Sequence, residues 1–132
     1  VMGLIYPDSC ILIYALEDQG ARGDRTRARL RGVGEVLVAS PLVLHECLVK
    51  PMRDGDAEMR KRFSDVYDRM VHIDLDLSVF VEAAELRARF GLKGPDSLHL
   101  AAAQLAGAEQ LWTNDKRLAA ASRGLAVDVV SG

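Results

Sequence analysis

The chain alternates short apolar blocks with longer stretches in which apolar residues recur every three or four positions, and this alternation orders its elements. Leu4-Ile5-Tyr6 is a compact apolar run suited to a buried strand, and Ser9 to Leu16 continues at helix length. Gly, Asp and Arg residues from Asp18 to Arg25 break it, and a basic helix is predicted to about Leu30. Val36-Leu37-Val38-Ala39 reads as the second strand, ended by Ser40-Pro41. Pro41 opens a helix carrying Leu42, Val43, His45, Glu46, Leu48 and Val49. Between Asp56 and Met70, apolar Met59, Phe63, Val66, Tyr67 and Met70 mark one face of a charged helix. Val71 to Leu75 reads as the third strand. Ser78 is the expected cap of the next helix, with Val79, Phe80, Ala83, Ala84, Leu86 and Phe90 on its buried side and Gly91 at its end. Pro95 to Ala106 reads as a helix with Leu98, Ala101, Ala102 and Leu105 on one face, closed by Gly107. Gln110 to Thr113 is the fourth strand, Asp115 begins a short helix, and Leu125 to Val130 is the last strand.

Five short apolar strands separated by helices predict an α/β fold with a largely parallel sheet covered on both faces. The length, 132 residues, suits one domain over 1–132, and Val1-Met2 are set aside from the fold argument. A composition of 49% hydrophobic and 27% charged residues is that of a globular chain, not a disordered one. The longest apolar stretches run six or seven residues, as from Cys10 to Leu16, which excludes a membrane span of that kind. No basic segment followed by an apolar one opens the chain, so a cytoplasmic protein is expected. Cys10 and Cys47 fit no C-x-x-C pattern and read as buried thiols of a reducing compartment.

In a parallel α/β sheet, chemistry sits outside the carboxyl ends of the strands. Most of the 19 acidic residues occupy polar helix faces or loops, and four do not. Asp8 follows the first strand between apolar segments, and Glu46 interrupts a mainly apolar helix. Asp96 opens the helix running to Ala106, and Asp115 follows Leu111-Trp112-Thr113-Asn114. Each has a plain structural alternative. Asp96 and Asp115 could serve only the helix N-terminus, Asp8 could cap the helix after it, and Glu46 could face solvent. Taken together, acids gathered on one rim repel unless a hard divalent cation sits among them. Oxygen ligands with no His/Cys set favour Mg²⁺ or Mn²⁺ over zinc. Such an ion lowers the pKa of bound water and stabilises charge developing on a phosphodiester, which is nuclease-like chemistry.

At these residues the sequence resembles the PIN-domain family, in particular the VapC-type toxins of bacterial toxin–antitoxin pairs. The resemblance spans nearly the whole chain, and its pieces are Asp8-Ser9, the helix with Glu46, Pro95-Asp96-Ser97-Leu98-His99-Leu100-Ala101-Ala102-Ala103, and Thr113-Asn114-Asp115. It implies a three-layer α/β/α sandwich around a mainly parallel five-stranded sheet, often as a homodimer, and a metal-dependent endoribonuclease activity. By position, Asp8, Glu46, Asp96 and Asp115 look like the catalytic, metal-binding acids for Mg²⁺ or Mn²⁺. Asp8 and Asp96 would be direct ligands, Glu46 would ligate or orient water, and Asp115 would act partly through water. Ser9, Thr113 and Asn114 resemble the family's polar residues beside those acids, and the products would carry a 5′-phosphate and a 3′-hydroxyl. Cys10 stands where the family usually has a small polar residue or alanine, and Pro7 stiffens the strand end; neither removes an oxygen ligand. His99 and His45 read as packed or supporting side chains and stand outside the ligand set.

The resemblance also implies a small antitoxin as partner, its tail crossing the acidic cleft and offering an arginine to the carboxylates. Of 17 basic residues 13 are arginine, with stripes at Arg22, Arg25, Arg27, Arg29 and Arg31 and at Lys50, Arg53, Arg60, Lys61 and Arg62. They are either solvated helix faces or a track for an RNA backbone. The alternative function is a PIN-like module that binds RNA or protein without cleaving, against which the intact acids argue. Other classes fit poorly. A phosphoaspartate phosphatase needs an acid where Cys10 stands, a receiver domain needs an acid beside Asp8, and a dinucleotide binder needs an absent G-x-G-x-x-G.

Overall fold

The computed structural model describes residues 3–32 and 34–131; Val1-Met2 lie outside them. The elements run β1 (Leu4–Pro7), α1 (Ser9–Glu17), α2 (Ala21–Arg31), β2 (Val36–Ala39), α3 (Pro41–Asp54), α4 (Ala57–Arg69), β3 (Val71–His72), α5 (Leu77–Phe90), α6 (Gly94–Leu105), β4 (Gln110–Trp112), α7 (Lys116–Ala121) and β5 (Ala126–Val127). The five strands form one sheet in the order β3-β2-β1-β4-β5, and every pairing is parallel. This is the predicted sheet.

Parallel neighbours require crossovers, and right-handed ones place a helix on one face or the other according to the direction of travel. From β1 the chain moves outward through β2 to β3, so α1–α4 share one face. It then returns past β1 to β4 and β5, which puts α5–α7 on the opposite face. The contacts agree: α1 packs on α2, α3 and α4, whereas α5 packs on α6 and α6 on α7. The result is a three-layer α/β/α sandwich. The direction reverses between β1 and β4, and the crevice at such a reversal is where ligands bind in this class of sheet.

The main core lies around Tyr6, Val38, Val43, Phe63, Leu100 and Leu111, and a smaller cluster joins Ile5, Ile11, Trp112 and Val130. In α6 the run Leu100-Ala101-Ala102-Ala103 is buried all round, so small side chains let the helix lie close to the sheet.

Several sequence-based boundaries move, each for a local reason. The third strand stops at His72: it is an edge strand, its last bond to β2 runs from Ile73 N–H to the Ala39 carbonyl, and the chain then turns toward α5. The fifth strand stops at Val127, because Asp128 accepts hydrogen bonds from the backbone N–H of Val130 and Ser131 and folds the chain back. Asp76, not Ser78, caps α5, taking the Val79 N–H at 3.2 Å and the Ser78 hydroxyl at 2.6 Å. On α5 the buried residues are Val79, Ala83 and Leu86, while Phe80, Ala84 and Phe90 are exposed. On α6, Leu105 is exposed, and the buried face runs from Ser97 through Ala103.

Candidate active site

Asp8 occupies the residue between β1 and α1, where the backbone is extended (φ −61°, ψ 155°). Its side chain does not cap α1. It is buried, and its two oxygens are held separately: Thr113 Oγ1 donates to Oδ2 at 3.0 Å, and Ser9 Oγ lies 3.3 Å from Oδ1. The cap alternative is thereby removed for this residue. Because Asp8 N–H continues the β1–β4 ladder to the Trp112 carbonyl at 2.8 Å, the acid stands at the reversal point of the sheet.

Glu46 reaches the same place from α3. Its Oε1 accepts from Ser9 Oγ at 2.9 Å and faces His99 Nε2 at 2.5 Å, and the side chain is 27% exposed. Burial works against its charge, but the His99 hydrogen bond and charge, with the Ser9 hydroxyl, outweigh that and hold the carboxyl below its ordinary range. Glu46 therefore does not point into solvent along the helix edge. Ser9 has a single hydroxyl hydrogen shared between two carboxylates, so it couples Asp8 to Glu46.

Asp96 sits in the first turn of α6. Its carboxyl is pushed up by burial first, then by the charges of Asp115, Asp8 and Glu46, with His99 opposing. Asp96 therefore feels the other three acids, but the side chains whose ligand atoms come within 4.8 Å of one another are Asp8, Glu46 and His99, and neither Asp96 nor Asp115 is in that group. Asp115 does double duty, because its Oδ1 caps α7 through the Leu118 N–H at 3.0 Å. The helix-cap alternative is correct for that oxygen, and Thr113 Oγ1 fixes the turn by accepting the Asp115 N–H at 3.1 Å. Asn114 turns away from the acids: its amide donates to the Tyr14 hydroxyl at 3.2 Å, and its oxygen faces the Cys10 thiol at 3.6 Å. Burial, reinforced by nearby Asp8, pushes the Cys10 thiol up to about 12, and Cys47 is raised likewise to about 12 by burial and by Glu46; both are free thiols.

The residue outside the predicted set that the structure brings in is His99. Its Nε2 lies 3.7 Å from Asp8 Oδ1 as well as beside Glu46, and Asp8, Glu46 and His99 present ligand atoms within 4.8 Å of one another. Its Nδ1 meets the Tyr6 hydroxyl at 2.7 Å, which in turn meets Ser40 Oγ at 2.8 Å. The spacing of His99 three residues after Asp96 was a visible signal. Nothing marks Tyr6 or Ser40, since their partners are 93 and 34 positions away in sequence.

The clustered donor set is two carboxylates and one imidazole nitrogen, and that nitrogen faces Glu46 Oε1. Repelling acids that raise Asp96 are what a hard divalent cation would relieve, so these residues fit Mg²⁺ or Mn²⁺.

A parallel α/β sandwich with acids at the reversal point of its sheet belongs to the class of folds that bind their ligands in that crevice. The chain belongs to the PIN domain family, which it matches over residues 5–124. No curated protein is a sequence match to it. Among solved structures it is similar to a toxin–antitoxin complex from Klebsiella pneumoniae, with a TM-score of 0.79 and 21% identity over 95% of this chain and 97% of that one. A second is VapBC2 from Rickettsia felis bound to a DNA fragment from its promoter, with a TM-score of 0.77 and 18% identity over 94% and 97%. A third is VapC20 of Mycobacterium tuberculosis, a sarcin-ricin loop cleaving toxin, with a TM-score of 0.77 and 16% identity over 89% and 94%.

Proposed function

We propose that this chain is a metal-dependent endoribonuclease, the cytoplasmic toxin of a toxin–antitoxin pair, working as one PIN-like domain. The observation that carries the reading is the pairing of Asp8 and Glu46, with His99, within 4.8 Å of one another at the β1–β4 reversal, beside which Asp96 is raised by burial and by Asp115, Asp8 and Glu46. Membership of the PIN domain family and the shared fold of the toxin–antitoxin structures support it. No helix among the described residues is long and apolar enough to cross a membrane.

Asp8 and Asp96 would hold Mg²⁺ or Mn²⁺ directly, with Glu46 ligating or orienting a water and Asp115 acting partly through water. The bound ion would lower the pKa of that water and neutralise charge on the phosphate. Thr113 and Ser9 keep the Asp8 oxygens in place. Ionised Glu46 can accept a hydrogen bond from the attacking water and aim it at phosphorus. The bond to the 3′-oxygen breaks, giving a 3′-hydroxyl and a 5′-phosphate. Arg22 is paired through Nε with Asp18 at 2.7 Å and lies over the Tyr14 ring at 3.9 Å, so its remaining guanidinium nitrogens are what it can offer an RNA backbone. Other stripe cations are engaged internally: Arg25 bonds the Val130 carbonyl, and Arg27 bonds the Ala15 and Asp18 carbonyls.

Purified protein incubated with a mixed cellular RNA pool should cut it in Mn²⁺ or Mg²⁺ and not in EDTA. Folded protein that binds RNA but cuts nothing under either ion would instead favour the non-cleaving module.

The partner proposed is a small antitoxin. A groove of about 670 Å³ lies among α1, α2, α4 and the start of β2, with apolar Leu12, Leu16 and Val66 and the cations Arg31, Arg62 and Arg69. Its apolar floor and basic rim suit an apolar helix flanked by acidic side chains. The double change Arg62→Glu with Arg69→Glu should weaken antitoxin capture at least tenfold, the loss of two pairs worth roughly 1 kcal/mol each; unchanged affinity in calorimetry refutes this docking site. A homodimer would bury Leu77 and Val81 of α5 and Leu105 of α6, which lie together and are 78%, 61% and 53% exposed. A monomer mass by light scattering at micromolar concentration excludes it.

A further inference from the structure

Behind Glu46 runs a buried chain of hydrogen bonds that the four acids do not account for. Ser40 Oγ, the Tyr6 hydroxyl, the His99 ring and the Glu46 carboxylate follow one another at 2.8, 2.7 and 2.5 Å. Tyr6 and Ser40 are fully buried and His99 is 1% exposed. Polar groups so deep are costly unless each is paired, and here each is.

The donor count fixes the arrangement. An ionised carboxylate only accepts, so His99 Nε2 must carry the hydrogen that points at Glu46 Oε1. In the neutral ring Nδ1 then accepts from the Tyr6 O–H, and Ser40 donates to the Tyr6 oxygen. In the imidazolium the last two bonds reverse and Nε2–H still points at Glu46. Either way the ring is clamped from behind, with Tyr6 also packed edge-on against it at 5.6 Å between centroids. Oε1 of Glu46 receives both His99 and Ser9, and no hydrogen bond among the described residues goes to Oε2, which leaves that oxygen available.

We propose that His99, held by Tyr6 and Ser40, is a positioning residue that fixes the Glu46 carboxylate so that Oε2 is left for the metal and its water. The proposal rests on the metal-site reading above. It does not make His99 a ligand, because a nitrogen that donates to Glu46 cannot also give its lone pair to a cation.

The test is Mn²⁺ binding, followed by electron paramagnetic resonance in the absence of RNA, for wild type, Tyr6→Phe, His99→Leu and His99→Gln. Groups that orient a metal's ligands are typically worth 10–100-fold in affinity, so His99→Leu should bind Mn²⁺ about 10–100-fold more weakly and Tyr6→Phe about tenfold. His99→Gln, whose amide N–H can stand in for Nε2–H, should recover to within about threefold of wild type. Thermal melts establish that each variant folds, and Tyr6→Phe, which keeps the ring, is the arm least at risk. Wild-type Mn²⁺ affinity in folded Tyr6→Phe and His99→Leu overturns the proposal. So does a direct nitrogen coupling to bound Mn²⁺ that disappears in His99→Gln, which would make His99 a ligand. A wild-type chain that binds no Mn²⁺ overturns the proposal together with the metal reading. Wild type that binds Mn²⁺ but cuts no RNA overturns the nuclease reading and leaves the positioning role standing.

Discussion

Asp8→Asn should lower RNA cleavage in Mn²⁺ by on the order of a thousandfold, the kinetic equivalent of roughly 4 kcal/mol of lost charge stabilisation in the transition state. The asparagine keeps the shape of the side chain and an oxygen for the Thr113 hydroxyl, so the fold should survive. What disappears is the negative charge at the centre of the cluster. Asp115→Asn makes the contrast. One of its oxygens is committed to the Leu118 N–H, a cap that asparagine provides equally well, and the site loses only a partial contributor. Its cleavage should fall by about tenfold to a hundredfold, the range for groups acting on a metal through an intermediary. Single-turnover cleavage of a labelled RNA by both variants, with melting temperatures recorded beside it, decides the matter. Equal losses, or an Asp8→Asn rate near wild type, would remove Asp8 from the centre of the chemistry.

That contrast depends on information the sequence carries unevenly. Asp8 and Glu46 were legible because each acid breaks an apolar run, and a charge so placed is expensive to bury without a purpose. Asp115 was ambiguous in sequence and is ambiguous in fact, since it both caps a helix and joins the acidic group. The parallel sheet followed from the alternation of apolar blocks with helical periods, while the ends of β3 and β5 did not. Those are edge strands: β3 loses its partner after the Ile73 N–H bond to the Ala39 carbonyl, and β5 is ended by the Asp128 side chain taking the Val130 N–H. Phe80, Phe90 and Leu105 fit a helical stripe yet stand in solvent, because periodicity locates a face without saying whether anything covers it. Tyr6 shows the harder limit. In a buried strand a tyrosine looks like any large core residue, and only the approach of α6 reveals that its hydroxyl is aimed at an imidazole.

Asp96 is where the proposed site should cost the metal-free protein stability. Its folded pKa lies above the ordinary carboxyl value of 3.8, chiefly through burial and then through Asp115 and Asp8. The helix dipole at the start of α6 favours an ionised acid there, but burial and three neighbouring carboxylates prevail. A group whose folded pKa is raised contributes stability that is fully present below its unfolded pKa and is lost as pH rises through the folded value. At neutral pH, therefore, ionised Asp96 weakens the metal-free fold. Asp96→Asn, neutral and of the same shape, should raise the urea midpoint in EDTA at pH 7, and the gain should vanish below about pH 4, where the wild-type carboxyl is protonated in both states. Added Mn²⁺ should reverse the order. At a hundred times the dissociation constant the ion stabilises the wild type by about 2.7 kcal/mol, and the variant, lacking a ligand, should gain far less. A variant less stable than wild type in EDTA at pH 7 would contradict the repulsion inferred at the crevice, and one that gains as much from Mn²⁺ would take Asp96 out of the ligand set.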